Sequence, residues 1–177
     1  AENVARLDIC NEVVMVDIKE NFAEGKALDQ WETSPVNYFD TRITGSTNDY
    51  TKTAGSDVVV ITSGIPRKPG MSRDELIGIN ANIVKTVTES VVKHSPEAII
   101  VVVSNPLDVM TYQAYLTANL PHQRVIGMAG ILDTARYRSF LAMELDVSPK
   151  DIQAVLMGGH GDTMAPLPRY TTAVERS

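Results

Sequence analysis

The sequence predicts an α/β fold built on a doubly wound parallel sheet, and three observations carry that reading. Short β-branched runs recur along the chain, most of them continuously apolar rather than alternating, as strands covered on both faces are. Between several of them lie stretches with helical apolar spacing. Strand and helix then alternate along the chain, which favours parallel pairing with helices on the faces of the sheet.

The strand runs are "EVVMVD" (12–17), "TRITG" (41–45), "DVVVIT" (57–62), "AIIVVVS" (98–104), "RVIGM" (124–128) and "DIQAVLMG" (151–158). The clearest helix is "MSRDELIGINANIVKTVTESVVKHS" (71–95), where Leu76, Ile79, Ile83, Val87 and Val91 recur at spacings of three and four as one apolar stripe. Ser72 followed three residues later by Glu75 is a capping-box start, and Lys93 and His94 stand at the end, where cations suit the helix dipole. "LDVMTYQAYLTANL" and "ILDTARYRSFLAMELD" read as two more helices.

The chain of 177 residues is long enough for one domain with a sizeable core. A net charge of -6 leaves no basic footprint, so nucleic acid is not an expected partner. The longest apolar run, "AIIVVV", suits a buried strand and falls far short of a membrane span, so no membrane partner is expected either. Cys10 is the single cysteine, which rules out an internal disulfide and a cysteine-based zinc cluster; it reads as a small half-buried side chain. The opening "AENVARLDIC" lacks the basic start and apolar stretch of a signal peptide, and the expected location is the cytoplasm.

Asp17 ends the first strand run. In a Rossmann-like dinucleotide-binding fold an acid at that place takes the adenosine ribose hydroxyls, about 20 residues beyond the glycine-rich turn. That count reaches back before Ala1, and no G-x-G-x-x-G occurs in the chain. The expectation is a Rossmann-like sheet lacking its first strand and glycine-rich loop. An acid at a strand end is also an ordinary strand-to-loop residue.

Three segments hold residues capable of chemistry. "IPRKPGMSRDEL" (65–76) sets Arg67 and Arg73 around a Pro-Gly pair; they are either solvated loop charges or cations facing an anion. In "GILDTARYRSF" (130–140) Asp133 and Arg136, three apart, share a helix face. Asp133 is open to two readings, a surface carboxylate paired with Arg136 or Arg138, or a site residue. "MGGHGDTMAP" (157–166) puts His160 among glycines just after a strand run, where the backbone can approach a ligand and the imidazole stays uncrowded. A lone histidine is otherwise often structural. His94 and His122 receive no function, no paired-histidine spacing points to a metal, and no G-x-S-x-G elbow marks a serine nucleophile.

Taken together, "ITSGIPRKPGMSRDEL", "VVVSNPLDVMTY", "VIGMAGILDTARYRSF" and "MGGHGDTMAPLPRYTT" resemble the lactate/malate dehydrogenase superfamily, most closely the bacterial lactate-dehydrogenase-like malate dehydrogenases. The resemblance covers essentially the whole chain. It implies an NAD-dependent oxidoreductase of the tricarboxylic acid cycle that interconverts malate and oxaloacetate, and a homodimer or homotetramer. Residues 1–128 would be a partial NAD-binding domain and residues 129–177 the start of a truncated C-terminal substrate domain. His160 would move the proton at the substrate oxygen and Asp133 would fix its tautomer. Arg136 would clamp the C1 carboxylate, Arg73 polarise the reacting carbonyl and Arg67 grip the second carboxylate. Asn105 would touch substrate and nicotinamide ribose. Asp17, Asn80 and the stretch Val103, Ser104 and Asn105 would help hold NAD, and no metal is implied. Lactate-type relatives carry glutamine at the place of Arg67, so a dicarboxylate is favoured over pyruvate or lactate. The acid at position 17 favours NAD over NADP, since a 2′-phosphate would meet a like charge.

Without the first strand, runs 13–17 and 58–62 are expected to have unpaired inner edges. A second hypothesis therefore stands beside the enzyme: a non-catalytic truncated product acting as a binding or assembly module.

Overall fold

The computed structural model describes residues 1–174, so the last three residues of the 129–177 segment lie outside the described residues. The chain forms two compact units, one of residues 1–57 with 90–97 and the other of residues 58–89 with the segment from 98 onward.

The first unit contains α1 (Glu2–Arg6), β1 (Glu12–Asp17), α2 (Phe22–Trp31), α3 (Ser34–Asn37) and β2 (Arg42–Thr47). β1 and β2 run parallel in a register from Glu12 opposite Arg42 to Asp17 opposite Thr47. Ala5, Ala27, Phe39 and Ile43 pack together with Met15 against them. α2 rests directly on β2: a Cβ at Gly45 would lie 2.4 Å from the Ala23 backbone, so no larger residue fits without separating helix and strand. Asn21, in the left-handed region, donates its N–H to the Thr47 hydroxyl at 2.9 Å, and that hydroxyl donates to the Glu24 carboxylate. These bonds fasten the helix entry to the strand end.

None of the three helices of this unit follows from apolar periodicity. α2 buries the small residues Ala23 and Ala27 while Leu28 and Trp31 are exposed, so its inward face carries little hydrophobic signal.

The second unit contains β3 (Val58–Ile61), α4 (Arg73–His94, through Glu89), β4 (Ile99–Val102), α5 (Leu107–Ala118), β5 (Val125–Gly127) and α6 (Gly130–Leu145). β3, β4 and β5 form a parallel sheet in that order, as the alternation of strands and helices predicts. Ile61, Ile100 and Val102 are buried on one face. On the other, Val58, Val60, Ile99 and Ile126 are exposed, so the continuously apolar runs record a second apolar face that this unit leaves partly open. Among the described residues β1 pairs with β2 alone and β3 with β4 alone, which leaves each a free edge.

Two expectations need correction. The buried line of α4 runs through Asn80, Val84, Thr88 and Val91, whereas Ile79 is 40% exposed. The helix is rotated toward a polar residue because Asn80 is held by hydrogen bonds described below. Residues 151–158 are not one strand. They divide into β6 (Ile152–Gln153) and β7 (Leu156–Met157), paired antiparallel with β9 (Thr172–Ala173) and β8 (Ala165–Pro166) respectively. Val155 O accepts from Leu167 N and Leu156 N–H is donated to a side chain of α6, so the ladder changes partner between the two pieces.

The capping box forms as expected: Glu75 N–H is donated to Ser72 Oγ at 3.1 Å and Ser72 N–H to Glu75 Oε2 at 2.8 Å.

Candidate active site

α6 begins just after β5, so its first turn stands at the carboxyl end of the parallel sheet, the edge where open α/β sheets place ligands. Asp133 lies in that first turn and is 4% exposed. A buried carboxylate needs partners, and Asp133 has two. Its Oδ2 is 2.7 Å from His160 Nδ1, and its Oδ1 takes a hydrogen bond from Arg136 Nη1 at 3.3 Å. A carboxylate can only accept, so Nδ1 carries the hydrogen of this pair, and in the neutral form of the ring Nε2 is the lone-pair nitrogen. His160 retains 24% side-chain exposure and Arg136 58%. The pairing with Arg136 exists, but Asp133 is no surface acid. Arg138 instead donates to the Pro149 carbonyl at 3.2 Å.

The glycines before His160 are also required by the packing of their own loop. A Cβ on Gly158, whose φ is +98°, would lie 2.2 Å from Thr163 O, and one on Gly159 would lie 2.7 Å from Thr163 Oγ1. They let the loop fold back onto Thr163 just before and after His160. Thr134 adds a tie that no spacing in the sequence reveals. Its hydroxyl accepts the Leu156 N–H at 3.1 Å, linking the residue next to Asp133 to the strand that leads into His160.

A second cluster joins the ends of β3 and β4. The Ser104 hydroxyl, buried, donates to Ser63 O at 2.6 Å, and Val103 N–H is donated to Ile61 O at 2.8 Å. Asn80, 2% exposed, bonds to the Ile65 backbone and to the Asn105 carbonyl. Asn105 itself is exposed. Arg67 and Arg73 are both exposed; Arg67 Nε donates to Met71 O at 3.0 Å, closing the loop on itself, and Arg73 is the first residue of α4.

A cavity of about 500 Å³ opens beside His160 and is also lined by Asp108, Thr111, Tyr112, His122 and Gly127. Asp108 lies within the "VVVSNPLDVMTY" run but has no role of its own there, His122 lies in none of the quoted runs, and the fold brings both to the cavity. Among the described residues no group of three metal-ligating side chains occurs, and no helix is long and apolar enough to cross a membrane.

In the first unit, Asp17 Oδ1 accepts the Lys19 N–H at 2.8 Å, and among the described residues Oδ2, at the carboxyl end of β1, has no hydrogen-bond donor. Tyr50 lies near: burial, and then the Asp17 charge, push its phenol above the usual range. An acid at a strand end with one oxygen unengaged fits a ribose diol, so the residues present suit a dinucleotide.

Comparisons with known proteins identify the family. The family profile "lactate/malate dehydrogenase, NAD binding domain" matches residues 1–127, and "lactate/malate dehydrogenase, alpha/beta C-terminal domain" matches residues 131–176. The malate dehydrogenase of Cytophaga hutchinsonii is 68% identical over 172 residues, covering 97% of this chain and 55% of the relative. That of Salinibacter ruber is 63% identical over 172 residues, with 97% and 54% covered. The Salinibacter ruber malate dehydrogenase structure superposes with a TM-score of 0.91 at 60% identity, over 98% of this chain and 54% of that one. A lactate dehydrogenase of Cryptosporidium parvum, complexed with lactic acid and nicotinamide adenine dinucleotide, gives a TM-score of 0.89 at 39% identity, over 98% and 54%. The chain thus spans about half the length of the curated relatives it matches. With both family profiles matched in order and a close relative over nearly its whole length, the chain belongs to the lactate/malate dehydrogenase family.

Proposed function

We propose that this chain is the cofactor-binding part and the start of the catalytic part of an NAD-dependent malate dehydrogenase, divided near residues 128 and 129. The observation that carries the reading is the buried Asp133–His160 pair, in a chain 68% identical to a malate dehydrogenase. The break between the two family profiles, at 127 and 131, supports the division.

NAD, when bound, takes up or delivers the hydride at substrate C2. During malate oxidation His160 Nε2 accepts the C2 hydroxyl proton, and during oxaloacetate reduction it returns that proton to the same oxygen. Asp133 stabilises the imidazolium in between, because its carboxylate already faces Nδ1. Arg136 leans on Asp133 through Nη1 and keeps its remaining N–H groups for the C1 carboxylate. Arg73 faces the negative charge that grows on the C2 oxygen during reduction, stabilising the transition state more than the ground state. Asn105 orients the substrate from the end of β4. Asp17 holds the ribose hydroxyls, and Val103, Ser104 and Asn105 also help hold the cofactor.

Arg67 supplies the preference for a dicarboxylate. A guanidinium closed over pyruvate's methyl group would be desolvated without a partner, whereas oxaloacetate's second carboxylate pairs with its fork. Exposed apolar residues on α6, among them Ile131, Phe140 and Met143, support self-association of the protein as a homodimer or homotetramer.

The test is steady-state oxidation of NADH by the full-length protein. Rapid turnover with oxaloacetate, slow turnover with pyruvate and a preference for NADH over NADPH are expected. Turnover with pyruvate equal to that with oxaloacetate would move the assignment to the lactate-type enzymes.

A further inference from the structure

We infer that the Pro69–Gly70 turn is a positioning element for Arg67, setting its guanidinium for the second carboxylate of the substrate. This rests on the malate dehydrogenase reading above, in which Arg67 carries the preference for a dicarboxylate.

An exposed arginine samples many rotamers, and ordering it when a ligand arrives weakens binding. Arg67 is exposed, yet part of that ordering is done within its own loop. Its Nε donates to Met71 O at 3.0 Å. That carbonyl is placed by the turn: Met71 N–H is donated to Lys68 O at 3.1 Å, closing four residues around Pro69 and Gly70. Proline fixes φ at the second place of the turn, and Gly70 holds a φ of +83° at the third, the type II pattern that calls for glycine. Ser72 follows at once with the cap of α4, so the carbonyl that holds Arg67 stands next to a fixed helix start.

Among the described residues these two bonds are the only ones that residues 67–71 make. A cavity of about 560 Å³ is lined by Pro69, Gly70 and Met71 of the turn and by Gly78 and Ile79 of α4, so the helix does not press the turn into shape. The backbone preference of Pro69 and Gly70 is what shapes it. Nη1 and Nη2 of Arg67 have no partner among the described residues and form the open edge of the fork, which suits a planar carboxylate. Pyruvate has no group for that edge. The turn should therefore matter for oxaloacetate and not for pyruvate, whereas a general loosening of the loop would touch both.

The experiment compares Gly70→Ala and Gly70→Asn with wild type in the full-length protein, measuring kcat/KM for oxaloacetate and for pyruvate at saturating NADH. A Cβ at Gly70 meets nothing within 4 Å, so both variants keep the packing and differ in how well they tolerate a positive φ, asparagine better than alanine. The ratio of oxaloacetate to pyruvate should fall about fivefold or more in Gly70→Ala, chiefly through the KM for oxaloacetate, and by less in Gly70→Asn. A smaller fall in Gly70→Ala, or an equal loss for both substrates, would overturn the inference. In an Arg67→Gln background Gly70→Ala should move the ratio by less than about twofold; a larger fall there would overturn it as well, since the turn would then act on something other than Arg67. Arginine Nε–H signals of the isotope-labelled protein separate this from the functional reading. The Arg67 signal is the one lost in Arg67→Gln, and its exchange with water should rise about fivefold or more in Gly70→Ala. If wild type fails to reduce oxaloacetate, the malate dehydrogenase reading falls, yet faster exchange in Gly70→Ala still upholds the hold of the turn on Arg67, and unchanged exchange overturns it.

Discussion

His160 Nδ1 lies 2.7 Å from Asp133 Oδ2, and Asp133 is almost wholly buried while the imidazole keeps a path to solvent. The acid is thus placed to hold the ring, and part of the ring stays open to solvent. Replacing Asp133 by Asn removes the fixed acceptor, and the amide can donate to Nδ1 and leave the proton on Nε2. A fall in kcat on the order of 10⁴ is expected, as where an imidazole is left in the wrong tautomer. NADH binding should survive. Stopped-flow reduction of oxaloacetate alongside an NADH titration reads both.

Arg67→Gln should change substrate choice rather than abolish turnover. Its guanidinium is exposed on a loop closed by its own bond to Met71 O, so its removal leaves the strand ends undisturbed. The ratio of kcat/KM for oxaloacetate over pyruvate should fall by about 10² or more. An unchanged ratio would return Arg67 to the status of a solvated loop charge.

Thr134→Val tests the tie between α6 and β7. The substitution keeps the shape and removes the acceptor of the Leu156 N–H, at a cost of about 1–3 kcal/mol for an unsatisfied donor. The melting temperature should drop and kcat should fall further than the loss of folded protein explains, because His160 follows that strand. Val and Ser variants compared by calorimetry and single-turnover kinetics decide it: Ser restores the acceptor and should recover both.

Gly158→Ala and Gly161→Ala make a matched pair. At Gly158 a Cβ meets Thr163 O at 2.2 Å in a positive-φ backbone, whereas nothing lies within 4 Å of one at Gly161. The first should cost at least about 1–3 kcal/mol and displace His160. The second should be close to neutral. Thermal melts of both variants provide the comparison.

Much of the second unit was legible in the sequence. The strands of the parallel sheet announce themselves by β-branched runs, and α4 by its Ser72–Glu75 cap. The site residues were legible as chemistry but not as geometry. Spacing puts Asp133 and Arg136 on one face, yet nothing local says that a histidine 27 positions away closes on the same carboxylate. Long-range contacts of this kind depend on where a loop turns, and here that turn rests on glycines folded against Thr163. α2 was invisible because it buries alanines. The inward face of α4 was misjudged because Asn80 looks like a polar surface residue until its three hydrogen bonds, to Ile65 and Asn105, are seen.

The capping box gives a prediction in pH. Hydrogen bonds from the Ser72 backbone and then its side chain hold the Glu75 carboxyl below its ordinary value of 4.5. A carboxyl lowered on folding contributes stability that is present above its unfolded value and lost as pH falls through the folded one. The first turn of α4 should therefore fray below about pH 4.5. NMR titration of the Glu75 side-chain carboxyl would show a midpoint below that of an exposed glutamate, and Ser72→Ala should raise it.

The measurement closest to the central claim is single-turnover hydride transfer from NADH to oxaloacetate by full-length His160→Asn beside wild type. Asn keeps a polar side chain of smaller size and cannot exchange a proton with the substrate oxygen. The expected result is NADH binding within about twofold of wild type and a transfer rate lower by about 10³ or more. Transfer within about tenfold of wild type would mean that His160 is not the proton carrier, and the Asp133–His160 pair would then be a structural contact.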